Sequence, residues 1–279
     1  MPADSPSQTD ATVAFIGGGN MASALIGGLV RGGQAASRII VIEPFEMQRD
    51  KLAQQFGVRA QAAASVRLAE AQTVVWAVKP QLFAEAAGPC ARFVGGALQL
   101  SVMAGIRTGA LVQASGSARV VRAMPNTPAL IGRGIAGLYA TEAVSAAERA
   151  RIEALLAPTG ATLWLPREAD LDAVTAVSGS GPAYVFYMLE AMMAAAAQMG
   201  LSAEQGRQLA IATFDGAAEL ARRSPESAET LRAQVTSKGG TTHAAITSLE
   251  ADGVKAAFVK ALRAAERRAQ ELGDEFGRG

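Results

Sequence analysis

The residues with the clearest chemical potential lie between Leu231 and Glu250. Adjacent glycines, Gly239 and Gly240, stand between hydroxyl residues, Thr236 and Ser237 on one side and Thr241 and Thr242 on the other. The run Ala244, Ala245, Ile246 and Leu249 that follows has the spacing of a helix face, so the segment is expected to be a loop opening a helix. Unpaired main-chain N–H groups and the helix dipole converge at such a point on a small anion such as a carboxylate. Paired glycines admit a ligand close to the backbone, and a hydroxyl donates a hydrogen bond without charge. Ser237, Gly239, Gly240, Thr241 and Thr242 are therefore the candidate substrate contacts. The only histidine, His243, and the only cysteine, Cys90, leave no metal-ligating cluster and none is expected.

A second constellation lies near the start. Gly17, Gly18, Gly19, Asn20, Met21 and Ala22 form a G-x-G-x-x-A pattern directly after the β-rich run Val13, Phe15 and Ile16. In that context the first glycine makes a tight turn, the third lets a pyrophosphate approach the main chain, and Ala22 lets helix and strand pack closely. Glu43 ends the next strand candidate, where an acidic group bonds the ribose 2′-hydroxyl of NAD and repels the 2′-phosphate of NADP; alternatively it caps the following turn. Arg49 lies a helical turn or more further on and compensates only partly, so the residues lean to NADH with NADPH left open. Ala77, Val78, Lys79 and Pro80 end another strand and start a helix, and Met103, Ala104 and Gly105 end the next. Both lie where such sheets bind ligands. Between Pro125 and Pro128, which stiffen the chain, Asn126 offers an amide to a ribose or nicotinamide, or simply belongs to a rigid connector.

These groups need a scaffold. Strand-like runs at Thr12–Gly17, Arg38–Glu43, Thr73–Val78, Leu98–Val102 and Arg119–Ala123 alternate with helical patterns, and Gly134–Tyr139 and Ala161–Leu165 flank a helix at Ser145–Leu156. Such alternation implies a Rossmann-like α/β domain, a parallel sheet with helices on both faces. Beyond Pro166 only helical patterns appear: Leu171–Val177, Gly181–Gly200, Ser202–Arg223, Thr241–Glu250 and Gly253–Leu272. The expected organisation is a flexible tail at 1–11, a dinucleotide-binding domain at 12–166 and an all-α domain at 167–279. Ser180 reads as an N-cap of the long apolar helix, with Pro182 in its first turn. That helix carries one charge, Glu190, and reads as buried in a core or subunit interface rather than as a membrane span. Balanced charge, 26 basic against 25 acidic residues, offers no case for nucleic acid or an anionic membrane as partner. The lone cysteine and a polar N-terminus without an apolar leader region point to a reducing, cytoplasmic setting.

Taken together, Gly17 to Ala22, Val78-Lys-Pro-Gln81, Met124-Pro-Asn-Thr-Pro128, Ser178-Gly-Ser-Gly-Pro-Ala-Tyr184 and Gly239-Gly-Thr-Thr242 resemble the Δ1-pyrroline-5-carboxylate reductase family over nearly the whole chain. The resemblance implies NADPH- or NADH-dependent reduction of a cyclic imine to L-proline, the last step of proline biosynthesis. It implies that Thr242 contacts the imine nitrogen and is the catalytic residue, that loop amides hold the carboxylate, and that Ser178 walls the pocket. It also implies a helical domain interlocked with a second copy in a homodimer, often assembled further into a decamer. Lys238 and His243 depart from residues usual in the family, a proline and an apolar side chain. A β-hydroxyacid dehydrogenase would need a lysine on the long helix, and Gly181–Gly200 contains none. A nucleotide-binding regulatory protein without turnover is the other alternative, against which the intact Thr241-Thr242 pair counts.

Overall fold

The computed structural model describes residues 11–276; the tail expected at the N-terminus lies, up to Asp10, outside them. Seven strands form one sheet: β1 Val13–Ile16, β2 Ile39–Ile42, β3 Thr73–Trp76, β4 Leu98–Ser101, β5 Val120–Met124, β6 Gly134–Ala140 and β7 Gly160–Trp164. Their order is β2-β1-β3-β4-β5-β6-β7. Every neighbouring pair is parallel except β5 and β6. The sheet is thus mostly parallel, as expected, and the one antiparallel pair has a local cause. The connection between these strands carries only a short 3₁₀ turn, Thr127–Ile131, and too short a link permits only an antiparallel return.

Helices α1 Asn20–Arg31, α2 Glu46–Phe56, α3 Phe83–Val94, α4 Thr108–Ser115 and α5 Ala146–Leu156 cover the sheet. One apolar layer joins Phe15, Val41, Val75, Leu100 and Val121 to Leu25 and Ile26 of α1, Leu52 of α2 and Ile152 of α5. The opposite layer joins Ile16, Ile40, Val74 and Trp76 to Phe83, Ala87, Cys90 and Val94 of α3 and Leu111 of α4. Strands buried on both faces read as largely continuous apolar runs rather than alternating ones, which is why β1 to β3 were legible. Ser145 opens α5 with a capping box, its hydroxyl accepting from the Glu148 N–H while Glu148 accepts from Ser145 N–H.

The remaining helices are α6 Asp170–Val174, α7 Gly181–Gln198, α8 Ala203–Arg223, α9 Ala228–Gln234, α10 Thr241–Ala251 and α11 Val254–Phe276. The compact units divide elsewhere than at Pro166. One runs to Ser180 and takes in the chain from Ala265 onward; the other is Gly181–Ala264. The reason lies in what the intervening side chains touch. Leu171 and Ala176 are buried in the first unit, and Val174 fills the space a Cβ on Gly137 of β6 would need. At the other end, Phe276 packs on Gly105, and the Arg107 guanidinium lies across Gly273. Helical spacing shows that a face is apolar, not which core receives it. In the second unit α7 and α8 approach closely where Gly206 meets Ala196, and Ser202 and Ser227 cap α8 and α9. Helix α9 has no counterpart among the expected elements; its seven residues are too few for a periodic signal.

Candidate active site

Strand order places the first constellation. The chain leaves β1 for β2 on one side, while β3 pairs on the other side of β1, so the crevice at the carboxyl ends of β1 and β3 is the switch point where open α/β sheets bind ligands. Gly17 and Ala77 occupy those two strand ends. The Gly17 N–H donates to Ile42 O at 2.9 Å, and the Ala77 N–H to Ile16 O at 2.8 Å. Gly17 has φ +97°, and a Cβ there would lie 2.7 Å from Ala77 O and 3.0 Å from Val78 Cγ1. No other residue fits both the angle and the space. Gly19 is the N-cap of α1 and contributes no side-chain cap, and a Cβ on it would meet nothing within 4 Å. The first intrahelical bond runs from Ser23 N–H to Gly19 O, which leaves the N–H groups of Asn20, Met21 and Ala22 at an open helix N-terminus. Ala22 is fully buried against the sheet, as its place in the fingerprint requires. This open, glycine-lined helix start fits a dinucleotide pyrophosphate.

Glu43 is buried at the end of β2, and protein groups hold its carboxylate. Oε2 accepts from the Gly18 N–H at 2.8 Å and Oε1 from the Phe45 N–H at 3.0 Å. It thus caps the following turn and clamps the glycine loop at once, a combination the sequence did not reveal. Gln48 completes the clamp by donating to Gly18 O and lying 3.4 Å from the Ser23 hydroxyl. Arg49 Nη1 is tied to the main-chain oxygens of Glu43 and Pro44 at 3.0 and 2.6 Å. Lys79 is exposed and precedes a 3₁₀ turn begun by Pro80. Ala104 and Gly105 are half-buried at the end of β4, where Gly105 has φ +76°. Asn126 uses its Oδ1 to accept from the Ile135 N–H at 3.0 Å, bracing the β5–β6 connection.

Ser178 is brought to the end of β5. Thr175–Gly179 is a π-helical turn, in which the Ser180 N–H donates to Thr175 O at 2.8 Å. Ser180 has helical backbone angles, φ −84° and ψ −14°, so it is not the extended N-cap expected; the turn from Thr175 carries the helical conformation into it. The side chain of Met124, the last residue of β5, occupies the space beside Gly179, where a Cβ would come within 2.7 Å of it. The Ser178 hydroxyl donates to Val174 O at 3.2 Å. Single π turns recur at functional positions.

The other constellation belongs to the second unit. The Gly240 N–H donates to Ser237 O at 3.0 Å, closing a turn whose third residue, Gly239, has φ +76°, the value a type II turn needs there. Gly240 is the N-cap of α10 without any side-chain cap, and the first helical bond runs from Ala244 N–H to Gly240 O. The N–H groups of Thr241, Thr242 and His243 therefore start the helix as the sequence led us to expect. A Cβ on Gly240 would lie 2.7 Å from the Ser237 hydroxyl. Thr242 is half-buried, whereas Ser237, Lys238 and His243 are exposed.

A charged cluster on the α4 side of the sheet was not anticipated. Glu168 accepts from Arg122 Nη1 at 2.7 Å and from both the N–H and the hydroxyl of Thr108 at 2.7 Å. Arg107 reaches Asp172 at 3.4 Å and Asp274 at 3.7 Å. Burial by itself would raise the Glu168 carboxyl, but the Thr108 donors and Arg122 together hold it below its ordinary value. No sequence signal joins residues 46 and 60 positions apart.

Comparison with known proteins agrees with this geometry. The model described as pyrroline-5-carboxylate reductase dimerisation matches residues 168–272, and one described as NADP oxidoreductase coenzyme F420-dependent matches residues 12–105. The pyrroline-5-carboxylate reductase of Pseudomonas aeruginosa is 44% identical over 269 residues, 95% of this chain and 98% of that protein. The chain belongs to the pyrroline-5-carboxylate reductase family. The solved family structure from Coxiella burnetii shares 36% identity with a TM-score of 0.87, covering 94% of this chain and 98% of its own. That of Plasmodium falciparum, solved with NADP bound, shares 25% identity and a TM-score of 0.83 over 95% and 99%. Membership accounts for a Rossmann-like sheet followed by a helical region with a dimerisation signature.

Proposed function

We infer that this protein reduces 1-pyrroline-5-carboxylate to L-proline with NADPH or NADH, closing proline biosynthesis. The observation that carries the reading is the Ser237–Thr242 turn opening α10 in a chain that also has the Gly17–Ala22 nucleotide turn, in a family of this activity. The cofactor reading also draws on the relative solved with NADP bound. Gly17, Gly18, Gly19, Asn20 and Met21 would hold its pyrophosphate, and Ala77–Pro80, Ala104, Gly105 and Asn126 line the strand ends beside it. Bound reduced nicotinamide supplies hydride to the imine carbon.

The protein's own task is then orientation. The N–H groups at the start of α10 take the substrate carboxylate, and the Thr242 hydroxyl fixes the ring nitrogen. A pyrrolinium nitrogen carries its proton into the reaction and keeps it in the product amine, so no strong acid is needed. Ser178 is a further candidate substrate contact in this reading. The setting we propose is cytoplasmic, and the assembly a homodimer capable of building a decamer. The test is oxidation of NADH or NADPH dependent on added pyrroline-5-carboxylate. Turnover with neither cofactor would refute the reading.

A further inference from the structure

We propose that Glu168 is a positioning residue of the cofactor site, tying the start of α4 to β5 through Thr108 and Arg122. Helix α4 has no cap of its own, because its N-cap residue is Arg107, a donor that cannot accept from the helix N–H groups. Glu168 supplies the missing acceptor from 60 residues away, engaging both the N–H and the hydroxyl of Thr108. A carboxylate at that end also opposes the positive pole of the helix.

The other side of the bridge is Arg122, with only 5% of its side chain exposed. Its Nε has no partner, so Glu168 carries the main compensation for a buried guanidinium. Arg122 sits in β5 opposite Ser101 of β4, two residues before Met124. The loop before α4 contains Ala104 and Gly105, and β5 leads into Asn126. Glu168 thus holds together two segments that border the cofactor in the function inferred above, on which this proposal rests. It also begins the stretch that continues through α6 to the π turn and Ser178. Asp172, one turn further along, repeats the arrangement by binding Arg107. The two segments that border the cofactor therefore depend on one half-buried carboxylate that touches no substrate.

The experiment compares wild type with Glu168→Gln, Thr108→Val, Arg122→Met and Arg122→Lys, each assayed well below its own unfolding temperature. Cofactor Kd by calorimetry and steady-state constants for cofactor and pyrroline-5-carboxylate are measured together. A positioning role predicts that folded Glu168→Gln loses about ten- to a hundredfold in kcat/KM for the cofactor. The KM for the imine should stay within about twofold of wild type, since the α10 loop that we assign to it is untouched. Thr108→Val removes only one hydroxyl bond and is expected to fold, so it reads the same effect at smaller size if Glu168→Gln does not. Arg122→Lys should recover part of the loss in Arg122→Met. Wild-type cofactor constants in folded Glu168→Gln or Thr108→Val, with only the unfolding temperature lowered, would overturn the proposal. A wild-type enzyme that binds cofactor but never turns over would instead refute the inferred function, and the cofactor Kd of the variants would still decide the role of Glu168.

Discussion

Thr242 is half-buried at the second position of α10, where its hydroxyl and its N–H belong to one helix start. Removing the hydroxyl should leave the fold intact and cost one hydrogen bond to the ring nitrogen. Thr242→Ala is accordingly expected to lower kcat/KM by about one to two orders of magnitude, measured by steady-state reduction of pyrroline-5-carboxylate. Wild-type kinetics would take Thr242 out of the mechanism. Glu43 poses a different question at the same scale. Its two oxygens already accept from Gly18 and Phe45, so a ribose hydroxyl must share a carboxylate that also shapes the glycine loop. Its charge still disfavours a 2′-phosphate. We expect kcat/KM to be higher with NADH than with NADPH, and Glu43→Gln to narrow that ratio about five- to tenfold, equivalent to ~1 kcal/mol of repulsion. A strong wild-type preference for NADPH would contradict this.

At the scale of elements, the turn from β1 to α1 tolerates no side chain at Gly17, where both the positive φ and the 2.7 Å approach to Ala77 O forbid one. Gly17→Ala should cost about 1–3 kcal/mol in backbone strain and abolish cofactor binding. Calorimetry with NADH and thermal unfolding would check both effects. Elements also depend on carboxylates that cap them: Glu148 on α5 and Glu168 on α4. In each, burial tends to raise the carboxyl, while hydrogen bonds from Ser145 or Thr108 and a nearby arginine hold it below the ordinary 4.5. A depressed folded value means the stability is present above the unfolded value and is lost as pH falls through the folded one. Stability should therefore hold steady near neutrality and decline below about pH 4.5. Glu168→Gln should flatten that decline, as denaturant titrations across pH would show; an unaltered slope would mean that Glu168 is not responsible. The strands, α1, α2 and the α10 turn were legible because each carries a local signal of apolar runs, glycines or helical spacing. The π turn and the bridges from Glu43 and Glu168 were not, since they are made by side chains distant in sequence.

At the scale of the whole molecule, the helical unit shows a surface unusual for an isolated domain. Among the α7 side chains, Phe186 and Tyr187 are 59% and 68% exposed, and Ala196 is the only buried residue of this apolar helix. Exposed apolar area of this kind marks an interaction surface, and the dimerisation model matched over 168–272 gives self-association as its use. No helix among the described residues is long and apolar enough to cross a membrane. A dimer or larger assembly is expected by light scattering at micromolar concentration, and a monomer would contradict it. Introducing a charge at Phe186 should weaken the assembly.

The sequence by itself determined the alternation of strands and helices, the nucleotide turn and the loop that opens α10, because each depends on residues adjacent in the chain. It also carried the family, through motifs whose order is specific. Only the tertiary structure decided that Glu43 clamps the glycine loop, that Ser178 lies in a π turn against Met124, and that the chain on either side of the helical unit belongs with the sheet. Those outcomes depend on which buried face or charge meets which partner, and spacing along a chain does not record that choice.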